Sequence, residues 1–220
     1  MPGGMEASVP APGWYPDPSG SPNWRYWDGT QWTDQTKGYF RSIRDLLGQQ
    51  LVLRRDGLNP KAEDLLYGEE VVVRLGWGGL VNRMQGDVTV ESDEGWWKID
   101  QQGLLPPKHV FFDHTGQIAV MTWQLVGGTG TLTFNDGRVY TLKDEWVKIE
   151  RHRISPNHRG QWWLWDQSGR AVIGAAHADH VTTVQVPAES GDVRELPLFA
   201  ALGAYFVLRW LDSQSHRDRH

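Results

Sequence analysis

The chain has 220 residues, a net charge of −5 and no cysteine. This length fits one domain of ordinary size with a small appendage, and such a domain buries a core without disulfides. The lack of cysteine excludes thiolate metal sites and favours a reducing, cytoplasmic compartment. Acidic and basic residues are mixed along the chain, which argues against nucleic-acid binding because that binding needs clustered positive charge. The unusual feature is 13 Trp together with 25 Gly, which favours aromatic strands joined by tight turns.

Residues 1–12 are mostly Gly, Pro, Ala and Ser, and they predict a disordered lead without the basic and apolar runs of a secretory signal. Residues 13–36 contain the densest group of aromatic rings. Turn signals at 16–20 and 28–29 predict a ribbon of two or three strands. Such a small ribbon cannot bury all of its rings, so we expect some to remain exposed as a docking surface. The candidate binding residues are Trp14, Tyr15, Trp24, Tyr26, Trp27 and Trp32. The alternative is that the ribbon packs these rings against the rest of the chain.

The next segment, 37–50, is predicted to be a linking helix because Phe40, Ile43, Leu46 and Leu47 have helical spacing. From residue 51 to 212, short β-branched runs recur at intervals of roughly 8–12 residues, which is typical of a sandwich or a barrel. One of these predicted strands is 146–151. Three turns, at 112–116, 134–137 and 165–169, share an aromatic residue, an Asp and a Gly, which indicates a meander of antiparallel hairpins. Their Asp side chains are expected to bond their own backbone rather than to act in catalysis.

The C-terminal segment 196–211 is apolar on every face, and it carries no charge from Leu196 to Leu208. A helix of this kind must lie in a protein core or in lipid. Because a bilayer span needs about 20 apolar residues, we predict a core helix and no transmembrane span. A membrane span or an interfacial anchor is the alternative. Residues 213–220 are predicted to form a polar tail.

The ribbon resembles a short actinobacterial domain of unknown function. The resemblance rests on GWYPDP at 13–18, RYWDG at 25–29 and WT at 32–33. That domain usually lies N-terminal to membrane segments or other modules and is not known as an enzyme.

The region 51–212 resembles the Tubby C-terminal-like superfamily, which includes LURP-one-related and phospholipid-scramblase-like proteins. The resemblance is carried by hairpins at 97–103 and 163–169 and by the closing apolar segment. It implies a mainly β fold in which a closed antiparallel barrel of about twelve strands surrounds one hydrophobic helix. Some relatives bind phosphoinositides, and none of their lipid-binding residues can be placed on this sequence.

Few patterns in the chain point to catalysis. The cluster at 177–180 (HADH) lies between predicted strands, where residues three apart face opposite sides, and it therefore predicts no metal site. His109 and His114 flank one predicted strand, so at most one of them faces a pocket. The Gly-rich stretches at 76–79 and 127–130 precede no helix that would complete a phosphate site, and no G-x-S-x-G motif occurs.

We therefore expect a non-catalytic interaction or adaptor protein that uses no cofactor and no metal. It would recognise a partner protein or a Pro-rich segment through the exposed rings of the ribbon. The expected location is the cytoplasm, including the inner face of the membrane. The alternatives are a peripheral phospholipid-binding protein and an enzyme whose site the sequence does not reveal. The sequence does not define the oligomeric state.

Overall fold

A computed structural model describes residues 10–19, 23–55, 61–78, 87–103, 108–124, 129–144 and 160–217. Within these ranges the fold is mainly β, with a small three-stranded sheet, a closed antiparallel barrel of twelve strands and one α-helix. This architecture confirms the fold class predicted from the sequence. The small sheet consists of β1 (Gly13–Pro16), β2 (Asn23–Trp27) and β3 (Trp32–Gly38). The helix α1 spans Leu196–Arg217.

The barrel is a meander, because each strand pairs with the next one along the chain. Its strands are β4 (Gln50–Arg55), β5 (Ala62–Tyr67), β6 (Glu70–Trp77), β7 (Val88–Ser92), β8 (Gly95–Gln102), β9 (Lys108–Asp113), β10 (Gly116–Trp123), β11 (Thr129–Phe134), β12 (Val139–Asp144), β13 (Gly160–Asp166), β14 (Ala171–Ala178) and β15 (Val181–Gln185). The last strand, β15, closes the barrel by pairing with β4, with Val184 opposite Leu51. Closure leaves no unpaired edge strand in the barrel.

The predicted hairpin turns are present, and their Asp side chains have the expected structural role. Asp113 accepts hydrogen bonds from the backbone N–H of Thr115 at 2.7 Å and from its hydroxyl at 2.6 Å. Asp166 accepts the same pair of bonds from Ser168, at 2.9 and 2.6 Å. Gly169 follows with a φ of 81°, a conformation that glycine adopts without a steric penalty. These carboxylates therefore stabilise turns.

The first four turns of α1 fill the barrel, since every residue from Leu196 to Leu208 is buried. Near the beginning of the helix, the ring of Phe199 packs edge-on against that of Tyr140, with centroids 4.7 Å apart. Farther along, a Cβ on Gly203 would lie only 3.0 Å from the Cβ of Ala175 on β14. A side chain at position 203 would therefore push the helix away from the wall. A hydrophobic surface on every face of the helix is required because the sheet surrounds it.

The prediction of a linking helix at 37–50 is wrong. The structure has only a short 3-10 turn, Ile43–Leu46, in which Ile43 and Leu46 are buried. The backbone around it bonds to the barrel instead of to a helical ladder: the N–H of Arg41 donates to Val71, and that of Gly48 donates to Val186. The apolar residues of this segment have helical spacing because Ile43 and Leu46 both contact the core, and the segment does not form an α-helix.

The ends of two elements also differ from the prediction. The helix continues six residues beyond 211, because no Gly or Pro follows Leu211 to stop it, and the predicted polar tail is helical as far as Arg217. Of the predicted disordered lead, 1–9 lie outside the described residues, whereas residues 10–12 lie against the small sheet. The predicted strand 146–151, residues 127–128, Gly79 and the last three residues of the tail are also outside the described residues.

Replacing Leu202 by Asp should prevent folding of the barrel. Leu202 lies in the buried part of α1 and shares a small apolar space with Leu142, Trp162 and Ile173. An unpaired charge there costs several kcal/mol, a large part of the stability of a domain. The matched control is Val52→Asp on β4, where the side chain is 42% exposed and the same charge meets water. Circular dichroism and a thermal melt would show an unfolded Leu202→Asp chain beside a folded control; a cooperatively melting Leu202→Asp chain would contradict the core role of α1.

Candidate functional site

Two carboxylates hold the turns of the small sheet in shape. Asp28 accepts hydrogen bonds from the backbone N–H groups of Thr30, at 2.7 Å, and Gln31, at 2.8 Å, and this fixes the turn between β2 and β3. The bonds from Gln31 and Thr30 hold the pKa of Asp28 below its ordinary value. Gly29 follows Asp28 with a φ of 100°, which explains why the turn contains glycine.

Asp17 stabilises the connection between β1 and β2 in the same way. Its side chain is buried, accepts the backbone N–H of Ser19 at 2.9 Å and meets the guanidinium of Arg25 at 3.3 Å. The bond from Ser19 and the charge of Arg25 lower the pKa of Asp17. The acidic residues of the ribbon motif are therefore engaged in shaping the sheet, and its rings remain as the groups available for recognition.

One side of the sheet carries three clustered rings, which we call the aromatic face: Tyr15, Trp27 and Trp32. Trp27 and Trp32 lie directly opposite each other on β2 and β3, with ring centroids 5.2 Å apart. Tyr15 meets Trp32 edge-on at 6.1 Å. Trp32 is 37% exposed, and the other two rings are half-buried. Edge-to-face contacts of this kind stabilise a small sheet while leaving ring surface open to solvent.

The other side of the sheet faces the linker and the barrel. Trp24 stacks on Tyr39, with centroids 5.7 Å apart and ring planes nearly parallel at 6°. The guanidinium of Arg74, on barrel strand β6, lies 4.9 Å from the centre of the Tyr39 ring. Trp24 thus connects the sheet to the barrel through Tyr39, and this column of side chains sets the sheet on the barrel wall.

The structure therefore divides the six candidate binding residues into groups. Tyr15, Trp27 and Trp32 form the aromatic face, and Trp24 packs towards the barrel. Tyr26 is half-buried, and its backbone carbonyl accepts the hydroxyl of Thr33 at 3.0 Å. Trp14 pairs with Tyr26 in the strand register, and only its backbone is described. Trp24 is thus packed towards the barrel, and the role of the other rings as a docking surface stays a prediction.

The aromatic face holds a segment that the sequence analysis assigned to a disordered lead. The indole Nε1–H of Trp27 donates a hydrogen bond to the carbonyl of Pro10 at 3.1 Å. The hydroxyl of Tyr15 donates to the carbonyl of Ala11 at 2.7 Å. The polar atoms of two rings are therefore directed at backbone carbonyls in a Pro-Ala-Pro segment. Sequence reasoning missed this contact, because the composition of the lead indicated only disorder.

A second candidate is a cleft of about 680 Å³ at one end of the barrel. It is lined by the hairpin turns at 94–97, 113–118 and 134–138 and by 194–195, which precede α1. Trp96, 42% exposed, and His114, also exposed, stand in this lining. Sequence reasoning did not predict this cleft, because its residues come together only when the barrel closes.

Ion pairs within the cleft link the turns to the beginning of the helix. Arg138 forms a bidentate pair with the buried carboxylate of Glu195, at 2.5 and 2.8 Å, and also contacts Asp136 at 2.8 Å. The bond to Glu195 raises the pKa of Arg138. Arg44 pairs with Glu94 at 2.8 Å. These pairs use carboxylates and guanidiniums to fix the end of the barrel.

The histidines have different surroundings. His177 is within hydrogen-bonding distance of the hydroxyl of Thr182, 2.9 Å from Nδ1, and His180 lies exposed in a turn. In the part of the chain that the structure describes, no three His, Asp or Glu side chains come close enough to hold a metal ion. His109 is the buried member of its pair and lies inside the barrel, edge-on to Tyr205 and Phe206.

Comparison with known proteins identifies a family only for the small sheet. Residues 12–39 match the family described as "Protein of unknown function (DUF2510)", which confirms the predicted resemblance of this segment to a short domain of unknown function. The match covers β1, β2 and β3 and ends at Tyr39. No curated protein and no solved structure matches the chain. Among the described residues, no helix is both long enough and apolar enough to cross a membrane.

The stability of the barrel should depend on the protonation of His109. Burial, aided by the positive charge of Arg209, lowers the pKa of His109 from 6.5 to about 4. Between these two pKa values, the unfolded chain binds a proton at His109 and the folded chain does not. The contribution of neutral His109 to the stability of the fold is therefore complete above pH 6.5 and is lost as the pH falls towards 4. The free energy of unfolding can be measured with urea at pH 7.5 and at pH 5. On this decrease in pH, the native protein should lose on the order of 2 kcal/mol more of its free energy of unfolding than the His109→Phe variant loses. Equal losses in the two proteins would contradict the neutral, buried state of this ring.

Proposed function

We propose that this protein is a non-catalytic, cytoplasmic adaptor that recognises Pro-rich segments of a partner protein through the aromatic face. One observation carries the proposal: Trp27 and Tyr15 direct an indole N–H and a phenol O–H at backbone carbonyls in a proline-containing segment. The absence of cysteine supports the cytoplasmic part of the proposal.

The chemistry of the face suits such a segment. An extended proline-rich chain has no internal hydrogen bonds, so its carbonyls are available to donors on a partner. Rigid aromatic side chains bind these chains with little loss of entropy, because the extended conformation exists before binding. Trp32 adds exposed ring surface beside the two donors. The aromatic face therefore offers both the donors and the apolar contact that this mode of recognition requires.

The larger domain is proposed to belong to the Tubby C-terminal-like superfamily. The proposal is supported by the closed antiparallel barrel of twelve strands around one helix, which is the architecture that the resemblance implies. In this view the barrel is the scaffold on which the small sheet is displayed. The column of Trp24, Tyr39 and Arg74 joins the two.

Peripheral phospholipid binding is the alternative function, and the cleft at the end of the barrel favours it. Trp96 and Arg194 both line the cleft, and the side chain of Arg194 is almost entirely in solvent. An exposed Trp with a nearby cation suits the interface of an anionic membrane. Co-sedimentation with liposomes separates the alternatives, because an adaptor that uses only the aromatic face leaves both anionic and neutral vesicles unbound.

Peptides with a Pro-x-Pro sequence should bind to the full-length chain, and replacement of Trp32 by Ala should weaken this binding. In a titration followed by the indole N–H signals in NMR spectra, the signals of Trp27 and Trp32 should shift. Trp32→Ala should reduce the affinity by about 10- to 30-fold, as the removal of a central aromatic residue does in other interfaces.

The matched control is Trp96→Ala, which removes an exposed Trp from the barrel and should leave the affinity unchanged. A peptide with Gly in place of Pro tests the need for the extended conformation. Equal weakening by the two Trp variants, or tight binding of the Gly peptide, would overturn recognition of Pro-rich segments by the aromatic face.

A further inference from the structure

The chain before β1 runs back over the aromatic face instead of away from the sheet. Gly13 lies opposite Trp27 in the register of β1 and β2, so the residues that precede Gly13 arrive beside the Trp27 ring. The carbonyls of Pro10 and Ala11 then meet the donors of Trp27 and Tyr15. The two acceptors are consecutive in the sequence, and they are bound by rings from two neighbouring strands.

The turn between β2 and β3 leaves room for this path. A Cβ on Gly29 would lie 3.1 Å from Cγ of Pro12, closer than most side chains tolerate. Gly29 therefore serves both the positive φ of the turn and the passage of Pro12 across it. The space left by Gly29 and the two ring donors, Trp27 and Tyr15, together form a binding site for a Pro-x-Pro segment.

Each of the two donors has a single proton to give. An indole N–H donates one hydrogen bond, and so does a phenol O–H, so neither can serve two segments fully at once. A Pro-rich partner that uses Trp27 and Tyr15 must therefore displace the segment of the chain itself. Because this segment is covalently attached next to its binding site, it competes at a high effective concentration.

We infer that Pro10-Ala11-Pro12 is an internal ligand of the aromatic face, which keeps the face closed until a partner segment of the same kind displaces it. This inference rests on the proposed function and extends it in two ways. It defines the ligand as an extended Pro-x-Pro segment whose consecutive carbonyls accept from Trp27 and Tyr15. It also makes the lead of the chain a regulator of binding.

The test compares the native chain with a released variant, Pro10→Gly combined with Pro12→Gly, in the full-length protein. Glycine increases the freedom of the detached segment and therefore weakens its hold on the face. The probe is a capped synthetic peptide, SVPAP, which is the sequence of residues 8–12. If the internal ligand occupies the face about nine-tenths of the time, the released variant should bind the probe about tenfold more tightly. Its free Trp27 indole N–H signal should also move from the position that it has in the native chain.

Trp32→Ala in the released variant is the control, and it should abolish the gain. Equal affinity of the native and released chains for SVPAP would overturn the inference while leaving recognition of Pro-rich segments intact. If no proline-rich peptide bound to either chain, both the proposed function and the regulation would be overturned. A change in the Trp27 signal without peptide binding would show that the contact with the lead has only a structural role. A native chain that elutes as a dimer, and a released variant that elutes as a monomer, would show exchange between copies and overturn the intrachain form.

Discussion

The burial of an uncharged helix inside a closed sheet is the interaction on which the larger part of the molecule depends. Twelve antiparallel strands enclose a space that side chains must fill, and the first four turns of α1 fill it. The contact is close, because Gly203 lets the backbone of the helix approach Ala175 on the wall. Neither part buries its apolar surface alone. The barrel therefore needs the helix for its core, and the helix needs the barrel for protection from water.

The small sheet is built on a different principle. Among the residues that the structure describes there, its shape comes from carboxylates that hold its turns and from edge-to-face rings. Its two sides have separate tasks, since Trp24 and Tyr39 connect it to Arg74 of the barrel, while Trp27 faces the lead of the chain. A module held in this way can present rings to a partner without losing its own structure. The proposal of an adaptor follows from this division of the rings.

Much of the fold could be predicted from the sequence, because it depends on patterns that are local. The turns at Asp113 and Asp166 follow from short-range turn chemistry, and the core helix follows from its uniform hydrophobicity. The segment 37–50 could not be predicted in the same way, because its backbone bonds go to distant residues such as Val186. The position of Pro10 was also beyond prediction, since a Gly- and Pro-rich lead gives no signal for a contact with Trp27. Only the folded sheet brings the two together.

Native-state hydrogen exchange tests the mutual dependence of helix and barrel most directly. The backbone amides of α1 that lie within the barrel should exchange only when the whole domain unfolds, with the same opening free energy as the amides of the surrounding strands β5, β6 and β14. A urea series would place both sets on one common unfolding curve. If the amides of α1 exchanged at a much lower opening free energy while those strands remained protected, the helix would leave a barrel that stays closed without it, and the central claim would be wrong.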